Sequence, residues 1–460
     1  IFGRKMINKH RKLLAGFLFL ILPLCVFASG EKEENSRYFQ LDNGLKVFLS
    51  EKSGLPLVNI VLAFDVGSKN ETDQTNGLVH ILEHSLLFFG SETRTAETIR
   101  RDIRRHGAYF NAHTGRDLAV FELSLPSEYA EFGLQHLKDT LFHLSLTQAA
   151  LDKEKEIILE EINQAADDPF RTSMALIHQN IFTNHPYQQP IIGKEDIIAN
   201  ATVSQIEEFY KKYFVCSNAA LAVVGEFSLP DMDNLVKNTL GQEPKIDFSG
   251  PQFEMASPLE KNVEIEKTMD IQQAYLAFGL AAPDYNHKDQ YLVDLLIEIF
   301  GRGVNPLLYH PLVERRIYPQ SLHIGYSAYR YGGVMTIYLG LEKDHLNITE
   351  SLLQRYFNTA SKLNYSKEDY MGQASFYAFD FLESAKNRIQ YATETGQETG
   401  LRMAFSLARY MLMNESGERG NYLESIRKTN STDIRSAAGQ YFSQGKQVII
   451  RIAPQKKETP

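Results

Sequence analysis

A chain of 460 residues exceeds what one ordinary hydrophobic core organises, so two or more domains are expected. Hydrophobic residues make up 43% and charged residues 23%, the balance of a globular protein with sizeable cores. A formal net charge of −9 sets nucleic acid aside as the natural partner, and no block of like charge reads as an acidic or basic tail.

The first element in chain order is an export signal. Lys9-His10-Arg11-Lys12 makes a positive start, Leu13 to Phe27 is an apolar run broken only by Pro23, and Val26 and Ala28 stand where a signal peptidase reads. The run is short of the roughly 20 apolar residues of a membrane span. Residues 1–28 are therefore expected to be a cleaved signal peptide, with translation starting at Met6 and the product periplasmic or extracellular. A lipoprotein anchored at Cys25 is the alternative, and the bulky Leu24 before it argues against that. Once the signal is removed Cys216 is the one remaining thiol, which excludes an intrachain disulfide and a cysteine metal site. Cys216 itself reads as a small core residue.

Residues 36–240 and 262–455 read as two versions of one plan. Leu57 to Val66 is a strand-like apolar run followed by a polar loop and a helix. Gln273 to Ala281 is again a strand, followed by a loop and the helical stretch Gln290 to Phe300. Each version closes alike, Tyr213-Phe214 leading into Asn218 to Gly225 and Tyr441-Phe442 into Gln447 to Ile452. Residues 241–261, rich in Pro, Gly and polar side chains, read as the linker. The expected fold is α+β, with two duplicated domains, each a mainly antiparallel sheet with helices packed on one face.

The chemistry concentrates in the first helix. His80 and His84 are four apart in Gly77-Leu-Val-His-Ile-Leu-Glu-His-Ser-Leu-Leu-Phe-Phe89, which has helical apolar spacing and no proline. Side chains at i and i+4 share a helix face with Cβ atoms roughly 5–6 Å apart. Two imidazoles so placed converge on one ion, as tetrahedral zinc requires. Glu83 sits beside them and is the expected general base for a water whose pKa zinc lowers to about 7. Catalytic zinc usually takes three protein ligands. The second helical segment, Glu154-Lys-Glu-Ile-Ile-Leu-Glu-Glu161, places Glu154 and Glu161 on one face, with Glu160 pointing elsewhere. One of the pair is expected to bind the metal and the other to orient a histidine. Taken alone, the glutamate run reads as a solvated face; beside the histidine helix it reads as the rest of a metal site.

These residues resemble the pitrilysin, insulysin and mitochondrial processing peptidase family of inverzincins, in which glutamate precedes the second histidine. The similarity runs from about Tyr38 to Ile452 and is that of a half-length, bacterial-type member. The resemblance implies a zinc metalloendopeptidase with one Zn²⁺ per chain, Glu161 as the distal ligand and Glu154 as the second characteristic glutamate. Asn111-Ala112-His113-Thr114 is similar to the family's Asn-Ala-x-Thr segment, whose strand pairs with extended substrate, so Asn111 and Ala112 are expected to bind substrate, together with Tyr318. The family's arginine–tyrosine pair is matched incompletely: Val313 stands where arginine is expected, and the segment before Tyr318 is about two residues short. The implied partners are a peptide or unfolded protein and, as a homodimer or heterodimer, a homologous subunit that supplies the missing pair. The alternative is a catalytically weak or inactive subunit of the same fold.

Overall fold

The computed structural model describes residues 35–303, 306–366, 380–396, 399–414 and 422–455; the expected signal peptide at 1–28 and Cys25 lie outside them. The first half runs β1 (Ser36–Gln40), β2 (Lys46–Glu51), β3 (Leu57–Phe64), α1 (Leu78–Phe88), β4 (Gly90–Ser91), α2 (Ala96–Arg105), β5 (Tyr109–Thr114) and β6 (Ala119–Pro126). It continues with α3 (Ala130–Phe142), β7 (Leu144–Ser145), α4 (Gln148–Asp167), α5 (Pro169–Ile181), α6 (Glu195–Asn200), α7 (Val203–Tyr213), β8 (Ala219–Gly225) and α8 (Leu229–Asn238). The second half runs β9 (Val263–Met269), β10 (Ala274–Ala282), α9 (Gln290–Gly301), α10 (Tyr309–Glu314), β11 (Ser321–Tyr329), β12 (Gly332–Leu341) and α11 (Leu346–Thr359). After α12 (Phe381–Gly396), α13 (Gly400–Met413), α14 (Tyr422–Lys428) and α15 (Ser431–Ala438), it closes on β13 (Gln447–Pro454). Between the halves, residues 243–260 carry no helix or strand. Among the described residues no helix is long and apolar enough to cross a membrane.

The expected fold class is what the backbone forms. The first sheet has the order β1-β2-β8-β3-β6-β5 and the second β11-β12-β10-β13-β9. Read from the other edge, the second repeats five strands of the first, down to the one parallel pair, β2 with β8 and β9 with β13. The other pairs are antiparallel. Side chains alternate across each strand, so β3 sends Val58, Ile60, Leu62 and Phe64 into a core with α1, α3 and α7. Leu276, Phe278 and Leu280 of β10 do the same with α9, α11 and α15.

The opposite faces are covered by exchange, which neither half reveals in its own periodicity. Asp168 breaks the long helical run by accepting from the amides of Phe170 and Arg171, with Pro169 at the first position of α5. The break turns α5 away from its own half, and Ile177, Ile181 and Phe182 pack on Ala277, Val334 and Ile450 of the second sheet. Ile177 fits over Gly279, where a Cβ would come within 2.4 Å of it. In return α13 lays Ala404, Leu407 and Ala408 on Val61, Ala63, Val120 and Val224 of the first sheet. A polar pin joins the halves beside these contacts. Arg330, between β11 and β12, donates to Asp65 at 2.7 Å, and its backbone N–H donates to Asp117 at 3.1 Å.

Candidate metal centre

Helix α1 buries Leu78, Val79, Ile81, Leu82 and Leu86 against the sheet, which leaves His80, Glu83 and His84 on the side facing α4. Its start is built without a side-chain cap on the residue before it, Gly77, whose φ is +107°. A Cβ on Gly77 would stand 2.9 Å from the Cα of Gly193, itself at φ +95°. This close approach of two glycines lays the loop 190–194 along the helix start, where the Ile192 carbonyl accepts from Nδ1 of His80 at 3.1 Å. Capping comes instead from a distant carboxyl. Val79 N–H donates to Oε1 of Glu71 at 2.8 Å, and the Asn76 amide donates to Oε2 at 2.8 Å. Burial pushes the Glu71 carboxyl up to about 8, against the hydrogen bonds from Val79, Gly77 and Asn76.

Helix α4 is capped by Thr147, which accepts from the Ala150 amide, and it runs antiparallel to α1. Glu154 therefore meets His84 while Glu161 meets His80. His84 Nδ1 donates to Oε2 of Glu154 at 3.1 Å. Both histidines thus have Nδ1 engaged, which turns each Nε2 toward Glu161, at 3.6 Å from His80 and 3.8 Å from His84. Burial lowers the pKa of His80, opposed by the charge of Glu83. Burial also works against charging His84, but the Glu154 hydrogen bond and the charges of Glu161 and Glu83 outweigh it and raise its pKa.

The donor set suits a divalent, borderline-soft ion. Two imidazole nitrogens and one carboxylate oxygen lie within 4.8 Å of one another. Zinc ligands at about 2.0–2.2 Å in a tetrahedron stand roughly 3.3–3.6 Å apart, close to the separations here. Among the described residues no second group of three such side chains comes together in this way. The second half keeps the scaffold without the chemistry: α9 occupies the place of α1, but its buried Glu298 is tied up by Arg302 and Arg388.

The expected substrate residues are dispersed. Asn111 and Ala112 lie on β5, at the edge of the first sheet, with side chains on opposite faces. Ala112 faces the α1 core, whereas Asn111 shares the other face with His113, whose Nε2 is 3.4 Å from buried Glu122. Tyr318 is 63% exposed on the turn after α10. That turn closes with Ile317 N–H donating to the Leu312 carbonyl and Arg316 at φ +57°, and Val313, Arg315 and Arg316 are exposed beside it. Glu71 and the Gly77–Gly193 contact are additions that sequence reading missed. In the sequence Glu71 is one more acid in a polar loop, with nothing to show that it folds back onto the helix.

Residues 46–195 match the family model described as Insulinase (Peptidase family M16), and residues 200–371 match the model described as Peptidase M16 inactive domain. An uncharacterised zinc protease of Rickettsia felis is 27% identical over 419 residues, 89% of this chain and 96% of that protein. The beta subunit of the mitochondrial-processing peptidase of Caenorhabditis elegans is 22% identical over 340 residues, 72% of this chain and 73% of that protein. The crystal structure of a protease from Helicobacter pylori superposes with a TM-score of 0.83 at 21% identity, over 91% of this chain and 99% of that one. The duplicated sheets and the matched models together establish that the chain belongs to the M16, or insulinase, family of peptidases.

Proposed function

We propose that the chain is a zinc metalloendopeptidase that hydrolyses peptides or unfolded polypeptide segments. The observation that carries this reading is the convergence of His80, His84 and Glu161 within ligand distance, with Glu83 beside both rings. His80 and His84 would hold one ion through Nε2, and Glu161 through a carboxylate oxygen. When bound, zinc supplies Lewis-acid polarisation of the scissile carbonyl and a water acidic enough to attack it. Glu83 would take the proton of the attacking water and deliver it to the leaving amine. Glu154 positions His84 by fixing Nδ1, and Ile192 does the same for His80. The free edge of β5 offers backbone groups along which an extended peptide adds as a strand, holding it with little demand on its side chains.

The test is Glu83→Gln assayed on a quenched peptide, with metal content measured alongside. The expected result is loss of turnover by about two to four orders of magnitude with zinc retained. Purified protein without zinc, or full activity in the variant, would defeat the reading.

Pairing with a homologous subunit is part of the proposal. Val313 occupies the position where the family resemblance leads one to expect arginine, and one relative is by name a beta subunit. A second chain would then complete the grip on substrate, and this chain alone would be weakly active. Mass measurement and turnover of the purified chain, with and without a homologous subunit, decide this; full activity as a monomer excludes it. Export to the periplasm or exterior belongs to the same proposal and rests on residues 1–28.

A further inference from the structure

The seam between α1 and α4 continues past the metal ligands. Because the helices are antiparallel, the pairs run His80 with Glu161, His84 with Glu154, then Phe88 with Ala150. Phe88 is 46% exposed, its ring 5.9 Å from that of His84. Beyond it opens a cavity of about 480 Å³, lined by Phe88, Phe89, Arg100, Thr147, Lys153 and Glu154 among others. Four helical residues advance about 6 Å, and an extended peptide covers about 3.3–3.6 Å per residue. The cavity mouth therefore stands within two residues of a bond cleaved at the metal.

Two cations stand where a ligand would reach. Arg100 and Lys153 are exposed at the rim. Of the two carboxylates that line the space, Glu154 is spent on His84 and Glu92 stands 3.7 Å from Nδ1 of His143, while Arg94 is paired with Asp139. Thr95 and Thr147, the capping residues of α2 and α4, both line the cavity, so two helix N-termini add their partial positive charge. Phe88 and Phe89 supply an apolar wall for an aliphatic stem.

We propose that this cavity is a substrate subsite that selects a carboxylate-bearing side chain, glutamate above all, within two residues of the cleaved bond. The proposal rests on the peptidase reading for its location, and its test is separable from that reading. Peptides carrying Glu, Gln or Lys at each of the four nearest positions are compared by kcat/KM on the wild type and by affinity for the Glu83→Gln protein. One position should favour Glu over Lys roughly three- to tenfold, the scale of two partly exposed ion pairs. The double variant Arg100→Glu/Lys153→Glu should invert that ratio, and Arg100→Gln/Lys153→Gln should flatten it. Both residues are exposed, and an unchanged melting temperature verifies folding. Cleavage with no charge preference, or a preference that survives charge reversal, overturns the subsite and leaves the peptidase standing. Charge-selective binding without cleavage by the zinc-loaded wild type overturns the peptidase reading and leaves the subsite.

Discussion

Glu71 shows how far the machinery of the proposed metal site extends from its candidate ligands. The carboxyl is buried under the start of α1 and is held by Val79 and Asn76. With its pKa near 8 in the folded chain and about 4.3 in the unfolded one, it keeps its proton on folding at neutral pH while the unfolded chain gives it up. Its contribution is then fully present below about pH 4.3 and is lost as pH rises toward 8. Glu71→Gln removes the ionisation, so its melting temperature relative to wild type should climb between pH 5 and pH 8. Thermal denaturation at three pH values checks this. A difference that does not move with pH would mean that the helix amides hold the carboxyl ionised throughout. None of this was legible in the sequence, because burial of a loop acid depends on where the loop returns. The two histidines and Glu154 and Glu161 were legible as a group, because fixed helical spacing puts each pair on one face whatever the fold around it. Which glutamate meets which histidine needed the antiparallel seam of α1 and α4.

At the scale of elements, α1 is held less by its own sequence than by the loop that lies along its start. The Gly77–Gly193 contact is the narrowest point, and both residues sit at positive φ. Gly77→Ala should cost about 1–2 kcal/mol for the backbone conformation alone, with more from displacing the loop that carries Ile192. The expected outcome is a lower melting temperature together with weaker zinc retention in a chelator competition, because His80 loses the acceptor that orients it. Normal zinc retention would show that Ile192 does not position the ring. The runs Leu57 to Val66, Gln273 to Ala281 and Gln290 to Phe300 were legible from apolar periodicity and from the repeat, and β3, β10 and α9 lie there. Sequence reading missed the break at Asp168-Pro169, a cap followed by proline, and the direction of that break depends on tertiary contacts. A helix with an apolar stripe specifies that it must be covered, not by which sheet.

At the scale of the whole molecule, that break decides the architecture. Duplication was readable because both halves open and close alike. The exchange of α5 and α13 was not readable, because Ile177 and Ala404 look like ordinary core residues of their own halves. The result is two sheets that each need the other half to cover one face, pinned by Arg330 on Asp65 and Asp117.

The exchange also sets a clock on biosynthesis. The first sheet is complete once Gly225 has emerged, but the helix that covers its outer face ends at Met413. At about 5–20 residues per second, that face waits roughly 10–40 s for its cover. During that interval Val61, Ala63, Val120 and Val224 form an apolar surface for a chaperone to occupy. A ribosome-bound chain stalled near residue 260 should therefore recruit a holdase that a full-length chain releases. Equal recruitment by both would show that the first half shields itself.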